Sequence, residues 1–290
     1  MNLLAAAALI EIAVTFVDLP RSGPEVAGVT RLQTAQSILA VLRGRRLPPV
    51  YGFVNGKLVA DHPEDKAILA AWVAAKNPLG NHTWSHSEPA DLAAYLADID
   101  RNEPLLRELM PGPDARWKVF RYPSLNQGET VSDRDAIRAH LSARGYRIAE
   151  PSLSVDDWAW TEAYARCRAH GDAAAVEELK AAFLESAQVS LALDDALARR
   201  AFGRRIPLVL TLHPGAFTAL MLDALLALFQ EERARFVPLE TALADPAYQK
   251  DARIAPTHDE LLQDEQARLR GLRLVPRPER PPHSLTQICL

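Results

Sequence analysis

Short apolar runs alternate with amphipathic stretches along most of this chain. Ile12-Ala13-Val14-Thr15-Phe16-Val17 reads as a buried strand, and the runs at Val50–Val54, Trp117–Arg121, Tyr146–Ala149, Pro207–Leu212 and Arg235–Leu239 read the same way. Between them lie helical patterns. Arg31–Arg43 repeats Leu32, Ile38, Leu39 and Leu42 on one side, and Glu64–Ala75, Arg134–Arg144 and Ala216–Arg233 follow suit. Ala90–Met110 reads as a long helix interrupted at Pro104, and the Ala-rich region Thr161–Arg200 as mostly helical. Strands that alternate with helices predict a parallel sheet with crossover helices, and at least six such units suit one barrel-like α/β domain over residues 12–250. Residues 1–11 form an apolar N-terminal segment. Residues 251–290 turn charged and Pro-rich, which predicts a peripheral helix and then a Pro/Arg-rich extended tail.

Composition adds mostly exclusions. In 290 residues, 48% hydrophobic and 24% charged is ordinary for a globular chain, and a net charge of -4 gives no general attraction to nucleic acid or to an anionic membrane. No run approaches the roughly 20 apolar residues of a membrane span. Leu3–Ile10 is like the core of a signal peptide but lacks a basic start and a cleavage site, so it reads either as the remnant of an export signal or as the run-in to the first strand. Two cysteines, Cys167 and Cys289, allow one bridge in an exported protein or two free thiols otherwise. Nothing in the sequence fixes an oligomeric state.

The candidate chemistry gathers at predicted strand ends, where a parallel barrel places its sites. His82 and His86 are four apart, the spacing that puts two imidazoles on one face of a helical turn and lets them share a metal ion. The first strand ends in Asp18, the Trp117 strand in Arg121-Tyr122-Pro123, and the Leu208 strand in His213; the Tyr146 strand leads to Asp156-Asp157-Trp158. Taken singly, these are a turn aspartate, an ordinary strand exit, a loop histidine and a helix cap. Together on one rim, one Asp and two His suit a zinc-type ion with an open position for water and substrate.

In this order the residues resemble the polysaccharide deacetylases, the NodB homology domain of carbohydrate esterase family 4. Thr15-Phe16-Val17-Asp18 is similar to the family's Thr-Phe-Asp-Asp motif except at the third position. His82-Thr83-Trp84-Ser85-His86 fits His-[Ser/Thr]-x-x-His, Arg121-Tyr122-Pro123 fits Arg-x-Pro, Asp157-Trp158 fits Asp-Trp, and Leu210-Thr211-Leu212-His213 fits Leu-x-Leu-His. The resemblance spans about residues 12–245 and implies a distorted (β/α) barrel of about seven parallel strands. It implies a divalent metal, Zn²⁺ first among them, on Asp18, His82 and His86, lowering the pKa of water to about 7 and polarising an acetyl carbonyl. It also implies an oxyanion contact from the Tyr122 backbone N–H, and His213 as the acid that protonates the leaving amine, oriented by Asp157. Trp158 and Leu212 would wall the acetyl methyl, and Arg121 would tether the catalytic base. The substrate class implied is an acetylated saccharide, and the location an exported one.

One departure matters most. The family's base is the first Asp of its first motif, and here that position is Val17, which cannot accept a proton. Asp18 keeps the ligand position. Arg121 thereby loses its carboxylate, and an acid such as Asp156 is expected to have moved to it. Ser124 and Ser154 also differ from the residues usual at those places. Two functions follow: a metal-dependent hydrolase that removes acetyl groups from N-acetylated carbohydrate, slowed by Val17, or a catalytically silent relative that binds metal or glycan.

Overall fold

Eight strands, every pair parallel, form one sheet in the computed structural model, which describes residues 9–249, 253–273 and 284–290. They are β1 (Ile10–Leu19), β2 (Tyr51–Val54), β3 (Leu79–Asn81), β4 (Val119–Phe120), β5 (Arg147–Ile148), β6 (Leu153–Ser154), β7 (Leu208–Leu212) and β8 (Ala234–Phe236). Seven of them run in the order β5-β4-β3-β2-β1-β7-β6, and β8 pairs with the start of β1. The two ends of this path, β5 and β6, are separated in the chain only by residues 149–152, so the sheet must curl on itself. The result is the distorted α/β barrel expected from the motifs.

Strand alternation sorts the side chains into two cores. Ala13 and Val17 of β1, Tyr51 and Phe53 of β2, Val119 of β4 and Val209 of β7 pack together inside the curl. Ile12, Val14 and Phe16 of β1, Val54 of β2, and Leu208, Leu210 and Leu212 of β7 pack in the other core, with the surrounding helices. Gly80 shows how tight the inner layer is, since a Cβ there would lie 2.7 Å from the Phe53 ring and 2.9 Å from the Val119 carbonyl. Bringing β3 this close to β2 and β4 requires glycine one residue before the strand's last position.

Several expectations change. The helix Leu92–Leu109 runs unbroken through Pro104. Proline removes one hydrogen bond, but the buried face of Tyr95, Ile99, Asn102 and Leu106 holds the helix on the sheet. The Ala-rich region is two helices, Asp157–Ala169 and Ala173–Phe202, parted at Gly171 in a left-handed conformation. The apolar pattern does not predict β6, which at two residues is too short for a periodic signal. It is this strand, rather than the Tyr146 strand, that delivers Asp156 and Asp157 to the rim.

The C-terminal helix Leu262–Leu269 is there but is not peripheral, because Leu262 through Ala267 are all buried. Leu262 N–H donates to the Pro151 carbonyl at 3.0 Å and the Gln263 amide to the Ser152 carbonyl at 3.0 Å, so this segment braces the peptide between the two sheet ends. Arg134 and Glu265, both buried, form an ion pair beside it. Cys167 and Cys289 are bridged, with Cα atoms 5.0 Å apart across a sequence separation of 122. Closing so long a loop restricts the unfolded chain, worth about 2–5 kcal/mol. Among the described residues no helix is long and apolar enough to cross a membrane. The N-terminal segment up to residue 8 and the Val275–Pro282 tail lie outside the described residues.

Candidate metal and catalytic site

Asp18, His82 and His86 meet at the rim. Both His Nε2 atoms stand 3.4 Å from Asp18 Oδ1, and the ligand atoms of all three lie within 4.8 Å of one another. The sequence spacing predicts a helical turn for the histidine pair, and here the structure corrects it. The histidines leave β3 into a loop whose Thr83 and His86 adopt left-handed backbone, at φ 62° and 56°. Asp18 has left-handed backbone too, at φ 57°. Such conformations persist only where the surroundings over-determine them.

They do so through a buried amide network. The Asn81 carboxamide oxygen accepts from the Thr83 N–H at 2.9 Å and from the Asn102 amide at 3.0 Å, while its NH₂ donates to the Ile99 carbonyl and the Tyr146 hydroxyl. Asn55 donates to the His82 carbonyl. Asp98 accepts from the Ser85 N–H at 2.9 Å and offers its own carbonyl to the Trp84 N–H at 3.0 Å. None of these asparagines announces itself in the sequence; their role is visible only in the fold.

Three observations test whether the triad fits a divalent ion. His82 Nδ1 lies 2.8 Å from the Arg121 carbonyl, an acceptor only, so Nδ1 carries the proton and Nε2 presents its lone pair to Asp18. Asp18 Oδ1 is buried with no hydrogen-bond donor among the described residues. Burial lowers the pKa of His82 more than the nearby Asp18 carboxylate raises it, which favours the neutral imidazole. Burial also opposes the charge on Asp18, yet His82, with His213 and His86, holds its carboxyl well below the usual carboxylate range. Two imidazole nitrogens and one carboxylate are the donor set that zinc-type ions take, with room for further ligands.

Beside the triad stands a His–Asp pair. His213 Nδ1 lies 2.9 Å from Asp157 Oδ1, the His213 backbone N–H donates to Asp157 Oδ2 at 2.7 Å, and Thr218 Oγ donates to the same oxygen at 2.6 Å. Asp157 is fully buried in the first turn of its helix, where the helix dipole favours its charge. Burial alone would lower the pKa of His213, but the charge and hydrogen bond of Asp157, with Asp18 and Asp156 adding, raise it above the ordinary histidine value. His213 Nε2 faces the triad, 3.9 Å from Asp18 Oδ2. Thr218 carries no sequence signal, being one hydroxyl in an apolar helix. Replacing it by Val should cost about 1.5–3 kcal/mol, the worth of a hydrogen bond to a charged group. Urea unfolding checks this as a lower midpoint with unchanged slope.

Both groups open into one cavity of about 520 Å³. Val17, Arg121, Tyr122, Ser154, Asp156 and Trp158 line it. Trp158 is 43% exposed and offers the cavity an apolar face, whereas Leu212 is fully buried in the outer core and is absent from the lining. Asp259 and Leu261 of the C-terminal segment also border the cavity, a contribution no motif foretells.

Arg121 is fully buried beneath the site. Its Nε donates to the Ala149 carbonyl, its Nη2 to Thr15 Oγ at 3.3 Å, and its guanidinium lies over the Phe53 ring at 4.9 Å. Among the described residues Nη1 has no hydrogen-bond partner. The acid expected to replace the lost partner has not arrived among the described residues: Asp156 Oδ1 accepts from the Ser154 hydroxyl at 2.9 Å, and Glu150 pairs with Arg138 at 2.5 Å. Burial pushes the Arg121 pKa down to about 9, the mark of a desolvated cation without a counter-ion.

The polysaccharide deacetylase family model matches residues 10–147. No curated protein sequence matches the chain. Among solved structures, a chitin deacetylase from the fungal pathogen Colletotrichum lindemuthianum is 16% identical with a TM-score of 0.56, covering 82% of this chain and 89% of that one. A CE4 family pseudoenzyme from Bacillus anthracis is 14% identical with a TM-score of 0.54, covering 81% of this chain and 66% of its own. A mutant of that pseudoenzyme, with restored enzymatic activity, is 14% identical with a TM-score of 0.55 and coverages of 81% and 68%. At these identities the structures establish the fold, and the family match ties residues 10–147, a little under half of the chain, to the polysaccharide deacetylase model.

Proposed function

We propose that the protein is a metal-dependent hydrolase that removes acetyl groups from N-acetylated carbohydrate, with turnover held down by Val17. The observation that carries this reading is the convergence of Asp18, His82 and His86 beside the His213–Asp157 pair in one cavity. Asp18, His82 and His86 would hold the ion, most suitably Zn²⁺, which when bound supplies Lewis acidity toward the amide carbonyl and acidity to water, bringing its pKa to about 7.

The remaining roles belong to the chain. His213, charged and oriented by Asp157, holds a proton on Nε2 toward the cavity and delivers it to the leaving amine nitrogen. The Tyr122 backbone N–H, on the cavity wall just after β4, is assigned the oxyanion. Trp158 excludes water from the acetyl methyl, while Leu212, buried in the outer core, does not reach that wall. Arg121 retains its place but has no base to tether. The exported location expected for such a substrate agrees with the Cys167–Cys289 bridge, since disulfides persist in oxidising compartments.

A second reading has its own observation in Val17, at the base position: a silent relative that binds metal or glycan. The separating experiment is acetate release from N-acetylglucosamine oligomers by zinc-loaded and chelator-treated protein. The hydrolase reading expects slow release that the chelator abolishes. Equal, background release from both would favour the silent relative.

A further inference from the structure

We propose that the corner of the cavity between Val17 and Arg121 is a binding site for a small carboxylate, which brings from outside the chain the base that the chain lacks. The binding part stands on Arg121 alone; its catalytic part rests on the hydrolase reading.

Arg121 is fully buried, yet it borders the cavity, and its Nη1 has no hydrogen-bond partner among the described residues. Among the described residues no carboxylate pairs with it, and Glu150 is engaged by Arg138. A buried, half-satisfied guanidinium is costly, and an anion delivered to Nη1 would meet it in a water-poor corner where ion pairing is strong. Val17, 6% exposed, lines the same cavity two residues along β1 from Thr15, which Arg121 Nη2 contacts, and Thr211 and Ser154 line it too. One guanidinium nitrogen beside uncharged Val17 and Thr211 suits a planar monoanion. A dianionic phosphate would arrive with charge and lone pairs that this corner cannot satisfy.

Seated there, a carboxylate takes one proton from the attacking water as its oxygen bonds to the acetyl carbon. His213 gives its Nε2 proton to the amine as the C–N bond breaks. The carboxylic acid then gives up its proton and His213 takes one back from solvent, which restores both groups with no change of oxidation state. The carboxylate has two sources, a free ion or an acid group on the substrate sugar.

The test titrates zinc-loaded protein with sodium formate against sodium chloride at matched ionic strength, reading Tm and acetate release from N-acetylglucosamine oligomers. A saturable rise in Tm specific to formate is expected, together with a gain in turnover of about tenfold or more. Val17→Ala should keep both effects. Val17→Asp should lose both, because its own carboxylate fills the site. An oligomer containing N-acetylmuramic acid, which carries a carboxylate, is the second arm. Turnover of it without formate at the formate-supported rate assigns the substrate as source, and dependence on formate for both oligomers assigns the free ion. A Tm response equal to that of chloride, or one that persists in Val17→Asp because formate sits on the metal, overturns the proposal. A formate-specific Tm rise that vanishes in Val17→Asp, with no acetate released under any condition, upholds the site and overturns the hydrolase reading instead.

Discussion

His82→Ala should abolish zinc binding, and with it every zinc-dependent property of the protein. His82 is almost fully buried, and its ring is held by the Arg121 carbonyl so that Nε2 has one place to point. Removing it leaves Asp18 and His86, two ligands where three are needed to hold a catalytic ion. The change is read without any activity assay. Zinc present at about 1,000 times its dissociation constant stabilises the folded state by about 4.1 kcal/mol, so zinc should raise the Tm of the wild type and leave the variant unmoved. Because a buried imidazole cannot be deleted without leaving a void, His86→Ala is the companion variant. Its side chain is 39% exposed, so its loss should spare the metal-free Tm while abolishing the zinc response. Retained zinc at one equivalent in His86→Ala would remove His86 from the ligand set.

His213→Ala should lower turnover by about 10²–10⁴-fold, the usual contribution of a general acid, with zinc content unchanged. The pH profile carries the signature. Asp157 raises the pKa of His213, so the acid form is fully present below the ordinary histidine value near 6.5 and is lost as pH rises through the higher folded value. Wild-type activity should therefore fall along an alkaline limb above that ordinary value. The limb should disappear in His213→Ala, leaving a low rate without it. A variant that keeps both the rate and the limb would take the acid role away from His213.

Much of this architecture is legible in the chain. The apolar runs of β1 and β7 are long enough to declare themselves, and their polar exits place Asp18 and His213 at strand ends. What the sequence does not show is set by length and by three-dimensional context. The two residues of β6 carry no period, so the pattern assigns Asp157 to the Tyr146 strand instead. The spacing of His82 and His86 correctly pairs them but suggests a helical turn. The buried Asn81 and Asn102 amides instead hold a left-handed loop that brings the same two rings together. Pro104 is a helix breaker by rule, overridden here by the face on which Leu106 packs. The C-terminal helix reads as peripheral because its residues are polar. Gln263 is buried all the same, its amide answering a backbone carbonyl beside the peptide that joins the sheet ends. The fate of Arg121 is the hardest to read: losing a partner at Val17 predicts a replacement acid, and the fold supplies a carbonyl, a hydroxyl and an aromatic face.

The central claim is that metal site and acid are intact and that Val17 alone limits turnover. Its most direct test is acetate release from N-acetylglucosamine oligomers by zinc-loaded wild type beside Val17→Asp. Val17 borders the same cavity as Arg121, whose Nη1 is ready for a carboxylate, so the new aspartate should be paired and ionised. Turnover is expected to rise by about tenfold or more, with zinc affinity nearly unchanged. A folded, zinc-loaded Val17→Asp variant no faster than the wild type would contradict the account.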